Sequence, residues 1–200
     1  MKDNDVISLA VNYLNKKLNT NIDTEYYSKI KTWREWWEGY VETVHSYKEL
    51  GLDKKPRKRN LYSLKMAKKV CEDWAGLLLN EKTTIAVEHK PSSLFLQGKD
   101  GTGGVFANNN FWSESNELLE KVFAMGSGAF VARAENAKIN NNGSVIPSID
   151  CKASIEYVDA LNIIPLSVEK SRIVEVAFVS EFTKRGKDYI YIETHTRGEN

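Results

Sequence analysis

The stretch NNNFWSESNELLEKVFAMGSGAFVARA, Asn108 to Ala134, changes its hydrophobic period part-way along. Up to Met125 the apolar residues Phe111, Leu118, Leu119, Val122 and Phe123 return at helical steps, which predicts a helix over Asn110–Met125 with that face inward and Gly126 as its stop. From Gly128 onward the period is two, and Ala129–Ala134 reads as a strand. The chain therefore divides into a mainly helical part, 1–127, and a β-rich part, 128–200, within one α+β unit. A helical layer of about four helices is expected to pack on a mostly antiparallel sheet.

Upstream, Val6, Leu9, Ala10, Tyr13 and Leu14 share one face of a helix capped by Asp5 and ending near Leu18, after Lys16 and Lys17. A second, long helix is predicted from Asp23, carrying Tyr26, Ile30, Trp33, Trp37, Tyr40 or Val41, and Val44; Gly39 inside it costs roughly 1 kcal/mol relative to Ala. A third opens at Asn60 or Ser63, with Leu64, Ala67, Cys71, Trp74 and Leu78 on its apolar face. Thr84–Glu88 alternates like a short strand, and Lys90–Gly104, with Pro91 and four glycines, reads as a loop. Downstream, Ala129–Ala134 and Ile146–Ala153 flank Asn140-Asn141-Asn142-Gly143, a hairpin with a long tip. Val158–Ile164, Ile173–Thr183 and Asp188–Thr196 add strands, the last two joined through Lys184-Arg185-Gly186-Lys187, giving a sheet of about five strands.

With 28 basic and 27 acidic residues, the net charge of +1 supplies no overall field toward DNA or an anionic membrane, so any such contact must be local. No run approaches the roughly 20 apolar residues that span a bilayer, and Met1–Asp5 begins no secretory signal, so a cytoplasmic chain without membrane contact is expected. Cys71 and Cys151 read as two small buried apolar residues rather than a disulfide or zinc pair.

The densest local charge is Lys54-Lys55-Pro56-Arg57-Lys58-Arg59, five cations in six residues. Such a run suits a phosphate backbone if a scaffold holds it, although no aromatic residue interleaves with it and Pro56 points to an extended connector, so a solvated loop is the plainer reading. The glycines at 98, 101, 103 and 104 fail as a dinucleotide fingerprint, because Phe106 stands where the third glycine belongs, and no Gly-Lys-Ser/Thr ends them as a Walker loop. His45, His89 and His195 lie apart with no ligand at metal spacing. Met125 and Ala129 occupy the outer positions around Ser127 where a nucleophile elbow needs glycines, and Glu72 and Asp73 are adjacent and diverge on a helix. No catalytic residue, metal or cofactor is called for. Trp33, Trp37 and Tyr40 fit a helical stripe and are expected in the core, whereas Trp36, off that stripe, is the aromatic placed to meet a neighbouring subunit.

Taken in order, Trp33-Arg34-Glu35-Trp36-Trp37-Glu38-Gly39 with His45, Ser63 through Ala75 with Leu77 through Lys82, Asn108-Asn109-Asn110-Phe111, Ala124 through Phe130, and Ile155-Glu156-Tyr157 running to Ile164-Pro165-Leu166 resemble the N-terminal region of portal proteins from tailed phages of Gram-positive hosts. The resemblance runs from the second helix to the end. It implies the outer wing region of a structural, non-enzymatic subunit in a ring of about twelve copies at one capsid vertex. Double-stranded DNA would pass through that ring, with terminase, capsid and head-completion proteins as its other partners. It implies a virion protein assembled in the bacterial host cytoplasm. Family members continue into a stem and a clip, so the resemblance also implies a fragment, from a truncated expression product or a decayed prophage gene. The competing reading is a small nucleic-acid-binding module built on Lys54, Lys55, Arg57, Lys58 and Arg59.

Overall fold

Gly126 takes φ +87° and donates its N–H to Val122 O at 2.7 Å, ending a helix where the hydrophobic period changes. The computed structural model describes residues 3–141, 145–146 and 150–196. In chain order these form α1 (Asp3–Leu18), α2 (Glu25–Glu38), α3 (Glu42–His45), β1 (Ser46–Leu50), β2 (Pro56–Asn60), α4 (Met66–Leu78), α5 (Lys90–Gln97), α6 (Gly104–Asn108), α7 (Phe111–Met125), β3 (Gly128–Glu135), β4 (Lys138–Ile139), β5 (Val145–Ile146), β6 (Lys152–Asp159), β7 (Ile163–Glu169), β8 (Arg172–Lys184) and β9 (Lys187–Thr196). The architecture is α+β, helices first and antiparallel strands after.

The strands do not share one sheet. β3 pairs with β6 from Gly128↔Asp159 to Glu135↔Lys152, β7–β8–β9 form a separate three-stranded sheet, and β4–β5 and β1–β2 are short ladders of their own. The break between the two larger sheets is the one-turn helix Ala160–Asn162. Asp159 caps it by accepting from Leu161 N at 3.1 Å, and the turn drives Ala160 and Leu161 into the core where the alternation predicts a continuous strand over Val158–Ile164. Tyr27 on α2 donates its hydroxyl to Ile163 O at 3.0 Å beside this bend, and burial pushes the phenol pKa upward.

The central core joins both parts of the chain: Val6, Ile7, Ala10, Val11 and Leu14 of α1, Tyr27 and Ile30 of α2, Met125 of α7, and Leu161, Ile164, Ala177 and Val179 beyond them. The buried face of α1 is rotated from the predicted one. Ile7 and Val11 point inward while Leu9 and Tyr13 are about half exposed, because a stripe at 7, 10, 11 and 14 fits the sheet beneath it. Its first turn begins at Asp3, so Asp5 lies within the helix rather than capping it. On α7, Leu118 is buried while Phe123, expected inward, is exposed.

Several local expectations are corrected. The long second helix stops at Glu38, because Gly39 adopts φ +87° and gives its N–H to Glu35 O at 3.0 Å. Residues 84–88 form no strand; the Ile85 carbonyl accepts from the Gln97 side chain at 2.6 Å. The expected loop 90–104 is largely helical, with Pro91 in the first turn of α5 where its missing N–H costs nothing. A tight turn then carries the chain into α6, and a Cβ at Gly104 would stand 2.6 Å from the Phe95 and Leu96 carbonyls, which accounts for glycine there. The second arm of the 128–159 ribbon is β6, at 152–159, rather than Ile146–Ala153. Residues 142–144 and 147–149, and so part of the predicted tip, lie outside the described residues.

One polar residue closes this ribbon. Asn109, between α6 and α7, accepts from Ile155 N at 2.9 Å and donates to Ala153 O at 3.2 Å, so a single carboxamide occupies the outward backbone groups of β6 as a neighbouring strand would. Tyr157 adds a hydroxyl bond to Asn109 O at 3.3 Å.

Candidate functional site

The basic run sits on a hairpin with a defined base. After Gly39 the chain enters α3, and the buried His45 accepts the Val41 N–H through Nδ1 at 2.9 Å. Tyr40 stacks on the imidazole at 5.7 Å between centroids, and Trp36 meets it edge-on at the same separation. Leu61 N donates to His45 O at 2.7 Å, so both strands leave from this aromatic base. Ser46↔Asn60, Glu49↔Arg57 and Leu50↔Pro56 set the register, with Pro56 opening an edge strand that needs no N–H from it. The predicted extended connector is therefore a β-ribbon.

Carboxylates hold three of the five cations of the run. Arg57 meets Asp53 at 3.3 Å, Arg59 meets Glu49 at 3.1 Å, and Lys58 donates to Glu42 of α3. The hydrogen bond to Lys58 holds the Glu42 carboxyl below its ordinary pKa, and Glu42 in turn raises the Lys58 ammonium. Among the described residues, Lys54 and Lys55 at the turn have no ion-pair partner. All five cations are brought together on one ribbon, but only these two present unneutralised charge.

The aromatic residues of α2 divide by depth. Trp37 is half-buried and donates its indole N–H to Glu120 of α7 at 2.7 Å, while Lys68 of α4 lies over its ring at 4.9 Å; these three side chains join three helices. Trp36 is 44 % exposed beside His45. Trp33 and Tyr40, expected in the core, are also exposed; Tyr40 lies past the end of α2 at Glu38, and the neighbouring helices leave Trp33 uncovered.

Helix α4 holds a surface that periodicity misplaces. Of its predicted inward residues Cys71 is buried, with burial raising its thiol pKa, yet Trp74 is 53 % exposed and Leu78 55 %; Val70 and Leu77 are exposed with them, and Phe123 of α7 tilts against Trp74 at 6.1 Å. Only Ala75 and Cys71 pack inward on this helix, so most of its apolar stripe faces outward. Cys151 is half-buried, and both thiols are free.

The family model described as phage portal protein, SPP1 Gp6-like, matches residues 16–199. The chain belongs to this phage portal protein family. No curated protein and no solved structure matches it. Membership gives the chain a structural role in a phage portal. The match runs through α2 with its aromatic residues, the basic ribbon, α4 and both larger sheets of this portal chain. No described helix is long and apolar enough to cross a membrane. Among the described residues, no group of His, Cys, Asp or Glu is arranged to hold a metal ion.

Proposed function

We propose that this portal chain is a non-catalytic structural subunit of the head–tail connector ring through which the phage genome is packaged and ejected. About twelve copies would close the ring by a heterologous contact, one face of each copy meeting a different face of the next. Residues 1–127 and 128–200 would act together as one wing-region unit. Double-stranded DNA in the channel, terminase, capsid and head-completion proteins are its partners in this reading, with assembly in the bacterial host cytoplasm from a phage or prophage gene.

The family match over residues 16–199 carries the proposal. The outward apolar face of α4 supports a lateral neighbour, as does the exposed Trp36, since contiguous apolar surface of this kind marks protein contacts. The alternative, a nucleic-acid-binding module on Lys54, Lys55, Arg57, Lys58 and Arg59, has less support because carboxylates hold three of those cations. Sedimentation velocity and native mass spectrometry of the purified chain test the lateral contact. Association that rises with concentration and weakens in Trp36→Ser and Trp74→Ser is expected, with no ATP hydrolysis above background. A chain that stays monomeric at every concentration, or that turns over nucleotide, overturns the reading.

A further inference from the structure

A second basic ribbon projects from the other side of the sequence. Val179 is the last buried residue of β8, and residues 180–189 are all exposed. Past Ile190, three successive pairs, Phe182↔Tyr189 through Lys184↔Lys187, carry the β8–β9 hairpin beyond the core. At the usual rise this is about 10 Å of free-standing ribbon before the turn. The turn is built by Arg185 at φ +52° and Gly186 at φ +72°, two consecutive left-handed residues as a tight hairpin requires.

Alternation assigns the two faces. Ile190 and Ile192 pack against the core on one side, so Tyr191, Tyr189 and Lys187 lie on the other, with Phe182 and Lys184 opposite the last two. The Phe182 and Tyr189 rings stack at 5.2 Å and 13° between planes. They are 46 % and 44 % exposed, and Tyr191 is 49 % exposed. No ion pair among the described residues neutralises Lys184, Arg185 or Lys187; Asp188, the nearest carboxylate in sequence, accepts from the Thr183 hydroxyl at 2.8 Å.

We propose that this arm is a binding site for single-stranded nucleic acid, with phosphates on Lys184, Arg185 and Lys187 and bases stacked on Phe182, Tyr189 and Tyr191. Free cations attract the polyanion, and exposed rings on the same face, two and four ladder steps from them, offer flat partners to flat bases. A duplex keeps the faces of its bases inside its own stack, so it would use the cations and leave the rings uncovered. The inference goes beyond the ring and does not rest on it.

Fluorescence anisotropy of a labelled oligothymidine, with a duplex of equal length as the second arm, tests the site on the whole chain. The single strand is expected to bind more tightly than the duplex, with affinity falling as salt rises. Lys184→Gln/Lys187→Gln should weaken binding roughly tenfold at low salt and flatten the log–log salt slope by about 1.4, at about 0.7 for each phosphate left without its cation. Tyr191→Ala should weaken it about fivefold or more, with the melting temperature checked alongside. Lys54→Gln/Lys55→Gln should change it by less than the arm variant does. No binding, equal affinity for duplex, or indifference to the arm substitutions overturns the proposal. So does loss of self-association in the arm variants without nucleic acid, which would mark the arm as a protein contact. Because Trp36 and Trp74 report on the lateral contact separately, the two readings fail independently.

Discussion

Two β-ribbons stand out from this molecule, 46–60 and 182–189, and they treat positive charge in opposite ways. The first has six cations and two carboxylates within its own span, and its three basic residues after Pro56 are all held by acidic partners. The second has fewer cations, none of them in an ion pair among the described residues, and it alternates them with exposed rings. Charge density along a sequence therefore does not measure the charge a surface can offer. Pairing across a hairpin removes it, and residues as far apart as Glu42 and Lys58 take part.

Freeing the first ribbon of its acidic partners should make the two ribbons behave alike. Replacing its partners together, Glu42→Gln, Glu49→Gln and Asp53→Asn, is expected to raise oligonucleotide affinity roughly tenfold or more at low salt and to steepen the salt slope by up to about 2. Unchanged affinity would mean that ion pairing is not what separates the two ribbons. His45→Ala takes the base from under the first ribbon and leaves the buried Val41 N–H without its acceptor, a cost of about 2 kcal/mol. A shifted urea midpoint should report it, with amide-exchange protection lost over 46–60 and retained over 172–196.

A smaller effect sharpens the second ribbon. Arg185→Asn places a residue that tolerates positive φ at a position already at +52°, so hairpin stability should rise by on the order of 0.5 kcal/mol while one cation is lost. Tighter nucleic-acid binding by this variant would show that order in the arm matters more than its third charge. The smallest expected effect is that of pH. Glu42 has a lowered pKa, so its support of the first ribbon is present above the ordinary glutamate range and is lost as pH falls through the lowered value. Acid should therefore loosen residues 46–60 and free Lys58. Amide exchange in the first ribbon measured across that range should show this, with little change in the second.

The features legible in the sequence are those set by local chemistry. The switch from Met125 to Gly128, the Arg185-Gly186 turn and the helical repeat ending at Leu78 each depend on residues within a few positions of one another. What periodicity does not give is the identity of the covering partner. Trp74 and Leu78 repeat correctly for a buried stripe, yet the neighbouring helices cover only part of α4, and Trp33 is left exposed for the same reason. Pro91 and the glycines after it carry loop signals, although proline in a first turn and glycine at a helix end also frame a short helix. The cations of residues 54–59 are visible in the sequence, but their neutralisation is not, because the acids that hold them come from the turn, the opposite strand and a separate helix.

The side chain of Asn109 bears on how such a protein avoids its own precipitation. Any chain crowded among copies of itself exposes its backbone to them, and an open strand edge is the surface on which sheets grow without limit. By filling the outward groups of β6 at Ala153 and Ile155, Asn109 makes that edge a dead end for strand addition. Contacts between copies are then left to side-chain surfaces, which can be specific, where edge-to-edge growth would continue as a fibre.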